Sequence, residues 1–167
     1  ANAQEIGAGI SNIASSLAAA GNDFDQSVSM ITGMSEITHS VDAAGSALKS
    51  LSMHLRGYND DTKSYSNDVE ALSNSIAVLT RTAKTPGGIS LFTDGTMETY
   101  KSAYQVMQDI SQVWDNLTDG RRSQLSEILA GPDNSGQISA LVQAFQSGTI
   151  QKAYDTSINA GGSALEE

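Results

Sequence analysis

Apolar and polar residues between Ala18 and Gly57 alternate with the pitch of an α-helix in two consecutive stretches. In the second, from Ser40 to Gly57, the apolar positions recur every three or four residues and form one stripe: Val41, Ala44, Leu48, Leu51 and Leu55. This pattern predicts a helix that faces the core. Ser40 can accept the first free backbone N–H groups, and Gly57 can take a left-handed C-cap, so both ends of the helix are marked in the sequence.

The preceding residues predict a helical hairpin. A first helix runs from Ala3 to Ala20, with an apolar face made of Ile6, Ile10, Ile13 and Leu17. Gly21 ends it, and Asn22 or Asp23 caps a second helix from about Phe24 to Thr38. The second helix is expected to turn the following side chains inward: Phe24, Val28, Ile31, Met34 and Ile37.

The middle of the chain contains the strongest break in the pattern. Residues 58–68 lack apolar periodicity and predict a loop, after which Asn67 or Asp68 starts a helix that ends near Thr82, with an inner face of Val69, Leu72, Ile76 and Leu79. The sequence TPGGISLFTDGTM then predicts a short strand or extended flap. We place boundaries here, giving an N-terminal helical part at 1–83, a linker at 84–97 and a C-terminal lobe at 98–167, with one continuous domain as the alternative.

Helical periodicity returns from Glu98 and is clearest at Val106, Ile110, Val113, Trp114 and Leu117. Thr118 is expected to cap a helix that Gly131-Pro132 stops. Two further helices follow, one with the inner face Ile138, Leu141, Val142 and Phe145, and a short one over Thr149–Ile158, after which Gly161-Gly162 leave the end mobile. The predicted fold is therefore all-α in the main, a compact bundle of seven or eight short helices with one extended flap near 87–93.

Length and composition favour a thin helical core. The chain has 167 residues, enough for one domain or two small lobes, and its aromatic content is only 5%. Because small side chains bury little apolar area, we expect modest stability. Cysteine is absent, which excludes disulfides and thiolate chemistry. The start ANAQEI and the end GGSALEE suggest a piece of a longer protein, although a processed mature chain would look the same.

The charge of the chain argues against nucleic-acid binding. Nineteen acidic and nine basic residues give a net charge of -10, and the nearest approach to a basic cluster is Arg121-Arg122. The chain also lacks an uninterrupted apolar run of the roughly 18 residues that a membrane span requires.

The residue types needed for catalysis or metal binding are sparse. His39 lies at a predicted helix end and His54 on a helix flank, and no acidic residue stands at a spacing that would orient either ring, so we predict exposed or half-buried histidines without a catalytic role. A zinc site lacks ligands. The sequence predicts no catalytic, cofactor-binding or metal-binding residues.

Acidic pairs have a simpler interpretation as solvated side chains. Asp23/Asp25 and Asp68/Glu70 stand at helix starts, where they complement the helix dipole. Asp60/Asp61 follow Asn59, and this triplet has too few oxygen ligands for more than loose cation binding.

Four other features are assigned to structure or to chance. Gly87-Gly88 precede a strand, the reverse of a phosphate-binding loop, and are interpreted as a flap hinge. Asn116-Leu117-Thr118 matches a glycosylation acceptor by chance. Trp114 has core spacing, and the methionines are expected mostly to fill the core: Met30, Met34, Met53, Met97 and Met107.

Several stretches in order carry a family resemblance. AAAGNDFDQSVSMITGMSEI followed by VDAAGSALKSLSMHLRG resembles the core region of phage tail tape measure proteins, in which an A-x-AGN-x-F-x-x-S hairpin precedes a G-x-AL-K-x-LSM-x-LRG helix. The similarity continues through GGISLFTDGTMETYKSAYQVMQDISQVWDNLTD, LSEILAGPDNSGQISALVQAF and AYDTSINAGGSALEE. His54 stands where the family usually has arginine. AGPDNSGQ replaces a loop that is usually basic, which removes positive charge, so the resemblance does not imply an anion or DNA contact for this loop.

The resemblance implies a structural, non-enzymatic role in a phage or prophage tail. It implies that the parent protein sets tail length, occupies the tail lumen before genome ejection and passes through the host cytoplasm during assembly. It also implies the tail tube and tail assembly chaperones as partners and leaves further copies of the chain open. The alternative function is a membrane-active or host-contacting helical module, with the face from Ile6 to Leu17 inserting into a bilayer.

Overall fold

Eight α-helices and one two-stranded hairpin make up the part of the chain that the computed structural model describes, which is the backbone of residues 3–166 and the side chains of residues 10–160. The helices are α1 Ala3–Ala19, α2 Phe24–Thr38, α3 Val41–His54, α4 Val69–Leu79, α5 Ala103–Val113, α6 Asp119–Asn134, α7 Ile138–Gln146 and α8 Thr149–Glu166. Between α3 and α4, strands β1 Tyr58–Asn59 and β2 Ser64–Tyr65 pair antiparallel. The predicted mainly helical bundle of short helices is confirmed.

Capping side chains start the helices where the sequence places them. Asp23 accepts a hydrogen bond from the N–H of Gln26 at 2.7 Å, and the Gln26 side chain accepts one from the N–H of Asp23 at 3.1 Å, which completes a capping box at α2. Ser40, Asp68 and Thr118 likewise accept backbone N–H groups at the starts of α3, α4 and α6. The predicted helix starts are confirmed at all four positions.

Helix α2 contacts α1, α3, α7 and α8. Its approach to α8 is close at Gly33, because a Cβ placed there would lie 2.4 Å from Cγ1 of Ile150. The predicted stripe on α3 is buried at Ala44, Leu48, Leu51 and Leu55, with Val41 partly exposed. One apolar cluster includes residues on both sides of 84–97. The division into 1–83, 84–97 and 98–167 stays a prediction.

The segment after α4 is extended, as predicted, but side chains of α4 hold it in place instead of a sheet. Ile89 and Leu91 are buried while Ser90 between them is half-buried. The N–H of Ile89 donates to Oγ1 of Thr80 at 2.7 Å, and the N–H of Leu91 donates to Oγ of Ser73 at 3.0 Å. These hydroxyls satisfy buried backbone donors that a neighbouring strand would otherwise satisfy.

The other edge of this segment pairs with the residues that lead into α5. Residues 91–93 run antiparallel beside residues 99–101 and share two backbone hydrogen bonds of 2.8 and 2.9 Å. Because residues 99–101 are extended, α5 begins only at Ala103, after the N-cap Ser102. The prediction that this helix begins at Glu98 was wrong.

Two further differences concern helix faces and helix ends. Phe24 was expected to face inward but is 71% exposed at the first turn of α2, and Met30 occupies the core instead. Helix α8 continues to Glu166, so the predicted end at Ile158 was wrong. The cost of Gly161-Gly162 in a helix, roughly 1 kcal/mol each, weakens a helix without stopping it.

The remaining ends agree with the sequence more closely. In α6, Gly131 has φ 74° and ψ 170°, which breaks the regular helix before a last turn that contains Pro132. Gly148 has φ 81° between α7 and α8. On α1, Leu17 is buried, whereas the side chain of Ile6 lies outside the described residues.

We expect Thr80→Val to destabilise the fold by about 1–3 kcal/mol, because valine keeps the shape but leaves the buried N–H of Ile89 without an acceptor. Urea unfolding followed by circular dichroism measures the change. Thr156→Val is the matched control, since Thr156 is exposed on α8 and its hydroxyl only donates back to its own helix. Equal stability of the two variants would contradict this role of Thr80.

Candidate functional site

A pocket of about 520 Å³ opens between the end of α3, the hairpin, α4 and α6. It brings a histidine together with carboxylates from the hairpin and from α6. Its lining residues are His54, Tyr58, Asn59, Asp60, Asp61, Leu72, Gln124, Glu127, Ile128 and Pro132. A pocket that combines a histidine with carboxylates is a candidate binding or active site.

His54 is buried, with 7% of its surface exposed, and both of its ring nitrogens face oxygen atoms. Nε2 lies 2.8 Å from Oδ2 of Asp60, and Nδ1 lies 2.7 Å from the backbone carbonyl oxygen of Ser50. These two contacts, one on each side of the ring, fix its orientation. The Asp60 side chain stays 46% exposed. The contact therefore pins the hairpin to the end of α3.

The hydroxyl of Ser50 lies 3.3 Å from Nδ1 of His54, which raises the question of a Ser-His-Asp nucleophile. In such a triad the histidine accepts the serine proton, and the carboxylate holds the other ring nitrogen. Here the Ser50 hydroxyl donates to the carbonyl oxygen of Ala130, and Nδ1 is closer to a carbonyl oxygen than to the hydroxyl. The arrangement ties α3 to α6 and to the hairpin, and it does not activate Ser50.

The break in α6 fits over this cluster. A Cβ at Gly131 would lie 3.0 Å from Cε1 of His54 and 3.1 Å from Oδ2 of Asp60. Glycine therefore lets the backbone of α6 approach the pair, and its positive φ redirects the chain at the same point. The turn that stops the regular helix also covers the buried histidine.

The expectation that no acidic residue orients His54 was wrong. Asp60 is six residues further on, a spacing that does not bring side chains together on one helix, but α3 ends at His54 and the hairpin brings Asp60 back to the ring. The predicted loop is a hairpin in which Tyr58 and Tyr65 face each other with ring centroids 5.4 Å apart. These two tyrosines on either side of an Asn- and Asp-rich turn were the signal that could have found it.

We expect Asp60→Asn to destabilise the protein by about 1–2 kcal/mol, because it weakens a charge-assisted hydrogen bond to a buried ring. Asp61→Asn makes the same change of charge at the adjacent, exposed position and should stay within about 0.5 kcal/mol of the unchanged protein. Urea unfolding of the two variants at one pH compares them. Equal losses would mean that the pair contributes nothing specific.

The side chains of Asn59 and Asp25, which belong to the oxygen-rich groups that the sequence singled out, form hydrogen bonds within the protein. The side-chain oxygen of Asn59 accepts the N–H groups of Asp61 and Thr62 at 2.8 and 3.1 Å, so the turn itself uses it. Asp25 accepts a hydrogen bond from the hydroxyl of Ser157 and joins α2 to α8. Within the described part of the chain, no three His, Cys, Asp or Glu side chains are grouped so that they could hold a metal ion.

The arginine pair and the tryptophan that the sequence singled out are held by contacts within the fold. Arg121 donates from Nη1 to the carbonyl oxygen of Arg81 at 2.9 Å, and Arg122 donates from Nε to that of Trp114 at 3.0 Å. Trp114 is buried, as predicted. His39 is exposed and ends α2 with φ 57°. None of these contacts gathers groups that could act on a substrate.

The methionines follow the core prediction with one clear exception. Met30, Met34 and Met107 are fully buried, and Met53 is partly exposed. Met97 is 43% exposed, because it lies in the turn that precedes residues 99–101, with φ 59°, and not in a helix that would turn it inward.

No helix among the described residues has both the length and the apolar character that crossing a membrane requires. On α1, the described part of the face proposed for membrane insertion, from Ile10 to Leu17, contacts the rest of the bundle. Leu17 is fully buried, and Ile10 and Ile13 pack against the same apolar cluster.

Amphipathic helices surround one apolar cluster, and in the polar pocket His54 and Asp60 join α3 to the hairpin. A family model described as phage-related minor tail protein matches residues 1–131 of the 167. The chain therefore belongs to this family, and it is a structural protein of phage tails. A search of curated proteins and a search of solved structures each found no match. Membership associates the chain with other tail components and with the virion, in a family that is generally non-enzymatic.

Proposed function

We propose that the chain is a compact helical segment of a phage tail tape measure protein, which sets tail length during assembly and occupies the tail lumen before genome ejection. The observation that carries this proposal is the family match over residues 1–131. The ordered motifs that resemble tape measure proteins support it further, because they continue beyond residue 131 through AYDTSINAGGSALEE.

The segment serves as a folded module, and the ruler proper lies elsewhere in the parent protein. A single helix of 167 residues would extend about 250 Å at 1.5 Å per residue. The chain instead reverses direction at positive-φ glycines such as Gly21, Gly57 and Gly148. It must therefore rearrange to pass through a narrow tube. Fully buried alanines at Ala20, Ala44 and Ala103 give a core of small side chains, which favours such a rearrangement.

In this proposal the segment performs no reaction and acts through contacts with the tail tube and with the chaperones of tail assembly. Direct contact with the genome is disfavoured by the net charge of -10. The same charge limits non-specific adhesion to DNA that passes through the lumen.

Labelling of intact virions tests the location in the lumen. The chain has no cysteine, so Ser75→Cys on the exposed face of α4 introduces one reactive thiol. Peptide mass spectrometry should find this thiol unmodified when intact virions are treated with a charged maleimide, and modified after triggered ejection. Denatured virions give the full signal, and the unchanged chain gives none. Labelling in intact virions would overturn the proposed location.

Tail length tests the ruler function separately. In-frame deletions in the parent protein outside residues 1–167 should shorten tails by about 1.5 Å for each helical residue removed, as measured by electron microscopy. Tails of unchanged length would exclude a tape measure.

A further inference from the structure

A groove of about 480 Å³ between α1 and α3 is lined by two basic side chains and by no acidic one. Lys49 and Met53 of α3 line one side of it, together with Arg56, which follows the helix. Ala19 of α1 and Tyr65 of β2 also line the groove. The chain has nine basic and nineteen acidic residues, so a groove lined by two cations and no carboxylate has a charge opposite to that of the chain as a whole.

Arg56 lacks a carboxylate partner among the described residues, in which no acidic oxygen lies within 4.0 Å of its guanidinium. Among the described residues, the guanidinium makes one hydrogen bond, a long contact of 3.4 Å from Nη1 to the carbonyl oxygen of Leu55. One face of the guanidinium stacks on the ring of Tyr100, 4.3 Å from the centroid. Burial lowers the pKa of Arg56, and Tyr100 opposes part of that effect. Arg56 is therefore a partly desolvated cation whose five N–H donors make one long hydrogen bond to the described residues.

Lys49 presents a second charge on the same face. It lies on α3, seven residues before Arg56, which follows the end of α3 at His54. Within the described side chains, no carboxylate oxygen lies within 4.0 Å of its ammonium group. The two cations therefore line the same groove.

The surface between the charges is apolar and aromatic. Met53 is partly exposed, and Tyr65 on β2 is 58% exposed. Methionine and tyrosine are typical of surfaces that bind partners. A second groove of about 290 Å³, which also includes Lys49, extends along α3 to Asp42. From Asp42 to Met53 the α3 side of this surface is about 16 Å long, which is enough for a helix of about three turns.

We propose that the α1–α3 groove binds an acidic amphipathic helix of a partner protein, with its carboxylates on Arg56 and Lys49 and its apolar side chains on Met53 and Tyr65. Two carboxylates on one face of a helix can each contact one of the cations, and a bidentate contact suits the guanidinium. Asp42 repels carboxylates at the opposite end of the groove, so it sets the direction of the bound helix. This inference goes beyond the proposed function and does not depend on it.

A polyphosphate ligand fits less well. Two cations neutralise few phosphates, and the net charge of -10 repels a polyanion over its whole length. An acidic helix presents a limited charge and buries apolar surface, which a phosphate backbone does not.

The test uses the 167-residue chain and a labelled synthetic helical peptide with glutamates two turns apart beside leucines. Fluorescence anisotropy compares the unchanged protein, the double variant Lys49→Gln/Arg56→Gln, and the control Lys84→Gln, which removes one charge at an exposed position outside the groove. We expect the double variant to bind at least 10-fold more weakly and the control to bind as the unchanged protein does. The same peptide with glutamines in place of the glutamates should also bind at least 10-fold more weakly.

Three results would overturn the proposal. Equal binding by the double variant and the control, or no binding by the unchanged protein, would remove the groove as the site. Displacement of the peptide by millimolar inorganic phosphate would assign the cations to a phosphate ligand. Sedimentation that shows self-association lost in the double variant would assign the groove to a second copy of the chain.

Discussion

Replacing Gly88 by alanine is expected to destabilise the protein by at least about 3 kcal/mol, which would lower the melting temperature by about 6–12 °C. A Cβ at this position would lie 1.9 Å from the carbonyl oxygen of Ala77 and 2.7 Å from its Cα. Both are backbone atoms of α4, so no side-chain rotation can relieve the overlap. The φ of +72° adds the cost of left-handed backbone for a residue with a side chain, about 1–2 kcal/mol.

The damage should reach beyond one contact, because Gly88 precedes the segment that α4 holds. Moving Gly88 away from Ala77 also pulls the N–H of Ile89 from Thr80, and this donor is buried. Several contacts should therefore fail together. The sequence predicted that Gly87-Gly88 is the hinge of the flap. Gly88 in addition packs closely against the backbone of α4.

Gly87 provides a control one residue away. A Cβ at Gly87 would have no heavy atom within 4 Å, and its φ is not in the left-handed region. Gly87→Ala should change the free energy of unfolding by less than about 0.5 kcal/mol. Thermal unfolding by circular dichroism compares the two variants, and similar stabilities would show that the chain around Gly88 adapts freely.

Ile110→Ala should cost about 2–5 kcal/mol, the second large effect. Ile110 is fully buried on α5, which packs against α7. Truncation removes buried methyl groups and leaves a cavity, since close-packed neighbours relax only in part. In a core rich in small side chains, one large residue accounts for a greater share of the buried area.

Ile158→Ala is the matched control, since Ile158 is 42% exposed on α8. We expect it to cost less than about 1 kcal/mol because half of the side chain already contacts water. Urea denaturation gives both values from the same assay. A loss at Ile110 no larger than that at Ile158 would mean that the core tolerates cavities and is not closely packed.

Local signals predicted most of the fold. Helix starts were predictable because a capping side chain and the N–H that it accepts lie three residues apart, as at Asp23 and Ser40. Helix faces were predictable because the apolar period needs no knowledge of the partner helix. The break at Gly131-Pro132 and the extended residues after Gly88 followed from the same kind of local chemistry.

The features that sequence reasoning missed depend on contacts between distant segments. Periodicity did not place the start of α5, because residues 99–101 pair with residues 91–93 before the helix begins. The contact between His54 and Asp60 requires the hairpin to fold back over α3. The α1–α3 groove was missed for the same reason, since Arg56 and Tyr65 meet there only in the folded chain.

The hydroxyl contacts of α4 also predict how slowly backbone amides exchange with heavy water. The N–H groups of Ile89 and Leu91 belong to no helix or strand, yet they are bonded to Thr80 and Ser73 and have little access to solvent. Their deuterium uptake should follow that of α4 and not that of the exposed turn at Asp94, so this irregular stretch opens to solvent only when α4 separates from it.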